Sequence, residues 1–433
     1  MAAATASSAA WKKPPNGSET RPTWLHTKLT ATTSKQHAMS EKHYSLEQQL
    51  LAGLHQVLGK PESLVALHEP EFRGNEWSYV KECIDTGWVS SVGKYVDEFE
   101  RRLAEVTGAK HAVAIVNGTA ALQIALNLAG VKPGDEVIIP ALSFVGTANS
   151  VSHCQAVPHF VDSNMDSLGL DPELLEEHFE RIGERTPGGL LNRLTGRRIA
   201  AIVPMHAFGF AVDLDRLMAV ARRFGVPIVE DAAESLGTTY KGRHTGTFGD
   251  LGILSFNGNK VITTGGGGAI ITNDSELARR AKYLTTTAKR PHRWEFFHDE
   301  VAYNYRLPNL NAALGCAQLE LLPEFLQRKR VLADNYRQSF ETTPDIAFVS
   351  EQADCHSNYW LNVVRLRTPD IEARNRLLDV SNEAGFQCRP AWTLLHKLPM
   401  YTECPRAELP VALALEASLI NIPSSPKLSG KRA

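Results

Sequence analysis

From Ser45 onward the chain alternates between two hydrophobic rhythms. Short, largely apolar runs occupy His111–Val116, Glu136–Pro140, Arg198–Pro204, Val226–Asp231, Gly252–Phe256 and Ala269–Thr272. Between them lie stretches whose apolar residues recur every three or four positions. Ser45–Leu58 carries Leu46, Leu50, Leu54 and Leu58 on one helical face and is closed by Gly59, and Leu214–Phe224 is closed by Gly225 in the same way. Asn117–Gly118–Thr119 breaks the first run into a helix over Ala120–Ala129, and Asp171 with Pro172 supplies an N-cap and a first-turn proline for another. Runs too apolar to leave one face in water, alternating with amphipathic helices, predict an α/β fold with a mostly parallel sheet covered on both faces. A long helical segment, Leu310–Phe340, then leads into a smaller strand-and-helix region. The expected division is a large domain over 45–310 and a small C-terminal α+β domain over 311–433.

Residues 1–44 break both rhythms. They are rich in Ala, Ser, Thr and Lys with almost no acids, and such a segment buries too little apolar surface to offset its ordering entropy. The expectation is a disordered extension, with the working chain starting near Met39. An organellar transit peptide is the alternative, weakened by the single Arg21.

Composition narrows the function. Of 433 residues, 43% are apolar and 22% charged, and 46 basic against 48 acidic side chains leave a net charge of −2. That balance argues against a nucleic-acid partner. The most apolar stretch, near Ile199–Val212, is interrupted by Pro204 and His206, which argues against a membrane span. Cys83, Cys154, Cys316, Cys355, Cys388 and Cys404 are scattered without paired spacing, as expected of reduced thiols in a cytoplasmic protein. His153–Cys154 and Cys355–His356 lack a second ligand pair at zinc spacing, so no metal is expected.

Ligands of open parallel sheets sit beyond the carboxyl ends of the strands, and three of those ends carry unusual residues. At Val116–Leu122 the sequence V-N-G-T-A-A-L turns a strand into a helix whose first amides, with Gly118 and the Thr119 hydroxyl, suit one phosphate; a plain capping turn is the alternative. At Ile228–Gly237 an apolar run leads to Asp231, with no Lys or Arg beside it in sequence: either a helix N-cap or a buried carboxylate whose partner cation comes with a ligand. In Gly252–Ile270, Lys260 stands in an uncharged stretch before Thr263, Thr264 and Gly265–Gly268. A surface lysine is the ordinary reading; desolvation would instead free its amine as a nucleophile. The glycines lack the context of a nucleotide loop. A phosphate turn, a buried Asp and a desolvated Lys are together the three needs of pyridoxal 5′-phosphate.

With N-G-T-A-A-L, E-D-A-A-E-S-L-G, S-F-N-G-N-K-x-I-T-T-G-G-G-G and N-Y-R-L-x-N-L-N-A-A-L-G in place, the chain resembles the sugar aminotransferases of the DegT/DnrJ/EryC1/StrS family from about His68 to Pro426. Gly74–Lys94 and H-K-L-P-M-Y at His396–Tyr401 resemble its legionaminic-acid branch. The resemblance implies the aspartate-aminotransferase-like fold type I, with a seven-stranded sheet. It implies Lys260 as the lysine that joins the cofactor and shuttles protons, and Asp231 on the ring nitrogen. Gly118, Thr119 and Ser255 match the phosphate contacts, Phe144 the aromatic stacked on the ring, and Glu234 the position near the ring hydroxyl. Asn304 matches an asparagine that reaches the phosphate from the other subunit of a homodimer with shared sites. Two positions depart from many relatives: Asn257 replaces His, and Gly266 replaces Glu, both on the substrate side.

The implied reaction moves an amino group, with glutamate as donor, to a 4-keto-6-deoxy sugar on UDP or GDP, with an acetamido group at position 2. Its setting is legionaminic acid or polysaccharide biosynthesis. Perosamine-synthase-type and 3-amino sugar transaminases are the nearest alternatives, and a cofactor-binding regulator without turnover a remoter one. Lys260 argues against the family's dehydratase branch, which carries His there. Trp88, Arg389 and the His396–Lys397 pair are candidate sugar or diphosphate contacts.

Overall fold

The computed structural model describes residues Tyr44–Gly430, so the expectation for the leader falls, but for Tyr44, outside the described residues. Seven strands form the main sheet: β1 (His111–Ile115), β2 (Glu136–Pro140), β3 (Val157–Val161), β4 (Arg198–Ile202), β5 (Val229–Asp231), β6 (Leu251–Ser255) and β7 (Gly268–Thr272). Their order is β1-β7-β6-β5-β4-β2-β3, with the β4–β5 junction made by the parallel bridges Ile202↔Ile228 and Met205↔Asp231. Only β7 runs antiparallel to its neighbours. This is the mostly parallel, seven-stranded sheet of the expected fold. Val157–Val161 and the hairpin Gly183–Thr186/Gly189–Asn192, which pairs onto the start of β4, had no clear signature in the chain.

Sequence punctuation sets the elements much as expected. Ser45 and Gln48 close a capping box on helix Leu46–Leu58, the Asp171 carboxylate accepts from the Glu173 and Leu174 amides, and Gly225 ends Leu214–Phe224 in the left-handed conformation at φ 70°. All five residues of β2 and of β7 are buried, which requires helices on both faces.

A second, antiparallel sheet orders strands Ile346–Phe348, Asn362–Leu366, Leu419–Ile422 and Arg389–Pro390. Helix Asn309–Phe340 links the two regions, running through Pro323. Its first half buries Ala312, Cys316 and Leu319 in the main core, and its second half buries Leu332, Tyr336 and Phe340 beside the second sheet. Leu50, Leu54 and Leu58 of the first helix join that second core, so residues near the start of the described chain pack with the C-terminal elements. No described helix is long and apolar enough to cross a membrane.

Candidate active site

The carboxyl ends of β1, β5 and β6 open on one cavity of about 250 Å³. After β1 the Asn117 side chain caps helix Gly118–Leu128, accepting from the Ala120 amide at 2.8 Å. The amides of Gly118 and Thr119 precede the first intrahelical bonds and face outward from the helix end. A Cβ on Gly118 would come within 3.1 Å of the Ser255 Cβ, and one on Gly268 within 2.5 Å of the Asn117 carbonyl carbon. Helix mouth, β6 and β7 therefore close to a distance that only glycine permits, and Ser255 is pressed against the turn.

At the end of β5, Asp231 is buried. Its Oδ2 accepts from the Thr147 hydroxyl at 2.8 Å and its Oδ1 from the Ala233 amide at 3.2 Å. Burial raises its pKa above the ordinary carboxylate value, opposed by the Thr147 hydrogen bond and more weakly by Lys260. Such a carboxylate is short of a positive partner.

Lys260 follows β6 in a tight loop. Its Nζ lies 3.2 Å from Glu234 Oε1 and 3.9 Å from the centroid of the Trp360 ring, which its charge faces. Glu234 Oε2 accepts from the Phe208 amide at 2.9 Å, and burial pushes the Glu234 carboxyl up from 4.5 to about 7. Asn311 Nδ2 donates to the carbonyls of Thr264 at 2.7 Å and Gly266 at 3.2 Å, which fixes the glycine loop behind the lysine.

Gly118, Thr119, Phe144, Asp231, Glu234, Ser255 and Lys260 thus meet around one cavity, with Phe144 half exposed at its wall (51%). The substrate-side residue Asn257 also lines it, and Gly266 does not. Five expected residues do not line this cavity. Asn304 is exposed on a bridge to Thr286 and does not line the cavity of its own protomer. Trp88 is exposed and lines a separate cavity, with its backbone carbonyl accepting from Asn309 Nδ2 at 2.7 Å. Arg389 is exposed on the second sheet opposite Asn421. His396 sits in a short turn with its Nδ1 buried and unpartnered, and Lys397 pairs with Glu416. As contacts within one chain, Trp88, Arg389 and His396 are not brought to the site.

The chain's sequence missed Thr147, Met205, Trp360 and Trp392, which also line the cavity. Trp360 and Trp392 stand 100 and 132 residues after Lys260 in the chain.

Site and fold together define a class: enzymes of fold type I whose chemistry is that of pyridoxal phosphate. The family model described as the DegT/DnrJ/EryC1/StrS aminotransferase family matches residues 70–433, and the chain belongs to that family of PLP-dependent sugar aminotransferases. Among its relatives, GDP-perosamine synthase of Caulobacter vibrioides is 36% identical over 366 residues, which is 83% of this chain and 93% of the relative. GDP-perosamine synthase of Escherichia coli O157:H7 is 35% identical over 370 residues, 85% of this chain and 95% of the relative. The crystal structure of the aminotransferase TlmJ from Streptoalloteichus hindustanus superposes with a TM-score of 0.75 at 29% identity, covering 83% of this chain and 93% of that one.

The residues present fit the cofactor. The glycine-tight helix mouth admits a phosphate, and the buried Asp231, short of a cation, matches a protonated ring nitrogen.

Glu234 carries a pH signature of its own. A carboxyl whose pKa is higher folded than unfolded stabilises the fold fully below the unfolded value, and that stabilisation is lost as pH rises through the folded one. For Glu234 the window runs from 4.5 to about 7. The cofactor-free Glu234→Gln variant should therefore gain melting temperature relative to wild type across that window, and the gap should level off above it. Parallel melting curves for the two proteins over the whole window would contradict this placement.

Proposed function

We propose that this enzyme aminates a nucleotide-linked 4-keto-6-deoxy sugar, with glutamate as donor. The observation that carries the transamination is the placement of Lys260 Nζ between Glu234 and Trp360, at the rim of a cavity floored by the buried Asp231. When bound, pyridoxal phosphate supplies an electron sink for the charge left when an amino acid loses its Cα proton. Asp231 would hold a proton on the cofactor's ring nitrogen, without which that sink is shallow. Gly118, Thr119 and Ser255 would hold its phosphate, Phe144 would pack on the ring and Glu234 would face its hydroxyl. Lys260 Nζ takes the proton from the donor Cα and later returns one to the sugar carbon. Because it works from a single face, the product amine has one configuration. Trp360 shields this amine from water.

The relatives named for GDP-perosamine support GDP as the nucleotide. The Gly74–Lys94 and His396–Tyr401 motifs favour the legionaminic reading, a 2-acetamido sugar on UDP or GDP. The purified enzyme, given glutamate and GDP- and UDP-linked 4-keto sugars with and without the acetamido group, should raise the mass of one of them by the exchange of oxygen for NH₃. No aminated product from any of the four would end this reading.

Asn304 is assigned to the neighbouring copy. Its exposure and its absence from the lining of its own cavity are compatible with a homodimer in which each site takes Lys260 from one subunit and Asn304 from the other.

A further inference from the structure

The cavity wall carries an aromatic layer, and its Trp392 has no part in the transamination chemistry above. Phe208 stacks on Trp392 with ring centroids 4.6 Å apart and planes 18° from parallel, and on Trp360 at 6.5 Å and 21°. Trp392 and Trp360 line the cavity; Phe208 lies behind them, fully buried. The layer is anchored from several directions. Trp360 Nε1 donates to the Asn259 carbonyl at 2.7 Å, and the buried Lys329 donates to the Trp360 carbonyl at 3.1 Å.

Phe208 adopts φ 56° and ψ 10°, left-handed backbone that a bulky residue avoids. Such strain persists only where surrounding structure imposes it, and it concentrates at functional sites. Here the strained turn does two things: it aims the Phe208 amide at Glu234 Oε2, 2.9 Å away, and it sets the Phe208 ring flat behind Trp392. One face of Trp392 is thus occupied, and the side it turns to the cavity is the other. Packing alone explains the buried Phe208 and Trp360. It does not explain a half-buried indole, rigidly backed and turned toward the space beside the reactive amine.

We infer that Trp392 is the platform on which the sugar ring of the substrate stacks, backed by Phe208, so that the keto carbon is presented to Lys260. A hexose offers an apolar face of C–H bonds that suits a flat aromatic surface, whereas the diphosphate and hydroxyls need polar partners. Trp360 extends the same layer to 3.9 Å from the Lys260 amine, so a ring lying on it is led toward the reacting group. This inference rests on the nucleotide-sugar reading above and adds the residue that recognises the sugar.

The test compares wild type, Trp392→Ala and Trp392→Phe holoenzymes. Calorimetry measures binding of the aminated nucleotide sugar and of the free nucleoside diphosphate, and steady-state assays give kcat and KM for the keto sugar. Trp392→Ala should weaken nucleotide-sugar binding and lower kcat/KM on the order of tenfold to a hundredfold, while affinity for the free diphosphate changes less than twofold. Trp392→Phe, which keeps a flat face, should recover most of the loss, and this recovery separates a platform from a residue needed only for folding. Equal weakening for nucleotide sugar and free diphosphate would overturn the inference by moving the platform under the base. A Trp392→Ala protein with unchanged sugar affinity would overturn it as well. Failure of the nucleotide-sugar reading looks different, because the wild type itself would then bind and aminate none of these sugars.

Discussion

Lys260→Ala abolishes turnover, by on the order of a thousandfold or more, while the protein still binds pyridoxal phosphate. The two effects separate because they rest on different elements. On the proposed assignment, binding relies on the helix mouth at Gly118 and Thr119, on Ser255 and on Asp231, while the lysine amine hydrogen-bonds to Glu234. Catalysis needs an amine that can be joined and released and can carry a proton, and among the described residues Lys260 is the one whose amine hydrogen-bonds to Glu234. Borohydride reduction of the wild-type holoenzyme should leave the cofactor's mass on the peptide containing Lys260, and the variant should show no such adduct. Turnover within tenfold of wild type in the variant would refute the assignment. The same variant tests the shared site. Refolded together with Asn304→Ala, it forms mixed dimers in which one site collects both defects and the other keeps Lys260 and Asn304 intact. Random pairing makes about half the dimers mixed, so activity should return to about a quarter of wild type. If Asn304→Ala alone is impaired and the mixture only averages the two, the sites are not shared in this way.

Asp231→Asn should lower kcat by about a hundredfold or more with little change in KM. The substitution keeps the shape and still accepts from Thr147, but it removes the charge that holds a proton on the ring nitrogen. Each pKa unit of that support is worth about 1.4 kcal/mol. Stability should move the opposite way. Burial raises the Asp231 pKa, so in the cofactor-free protein its charge costs stability once pH exceeds the folded value. Cofactor-free Asp231→Asn at pH 7 should therefore melt no lower than wild type, even though the holoenzyme is crippled. Glu234→Gln should be far milder in kcat, because it touches a ring hydroxyl rather than the electron sink. If Glu234→Gln proved the more damaging, the two carboxylates would have to exchange roles.

Much of the site was legible because its residues are coded locally. Gly118–Thr119, Asp231 and Lys260 each stand at the end of an apolar run, and strand ends are where parallel sheets bind ligands. The absence of a Lys or Arg beside Asp231 in sequence left a helix N-cap or a buried carboxylate open, and Asp231 is buried. On the substrate side, Trp88, Arg389 and His396 were singled out as charged or aromatic residues in a motif, and none of them lines the cavity of the same chain. Trp360 and Trp392 escaped notice because a tryptophan in a core and a tryptophan in a cavity wall look alike in sequence.

By itself, then, the sequence determined a mostly parallel α/β fold and singled out the strand ends at Gly118, Asp231 and Lys260, through apolar runs, helix caps and charges set in apolar stretches. The roles proposed for that lysine and aspartate came from the family resemblance. Only the tertiary structure decided which side chains face one another across the cavity. The Thr147 hydroxyl on Asp231, the Trp360 ring over Lys260 and the Phe208–Trp392 stack join segments 84, 100 and 184 residues apart. The physical reason is that such contacts are set by how the sheets and the long helix Asn309–Phe340 pack into one body, and packing has no period in the chain.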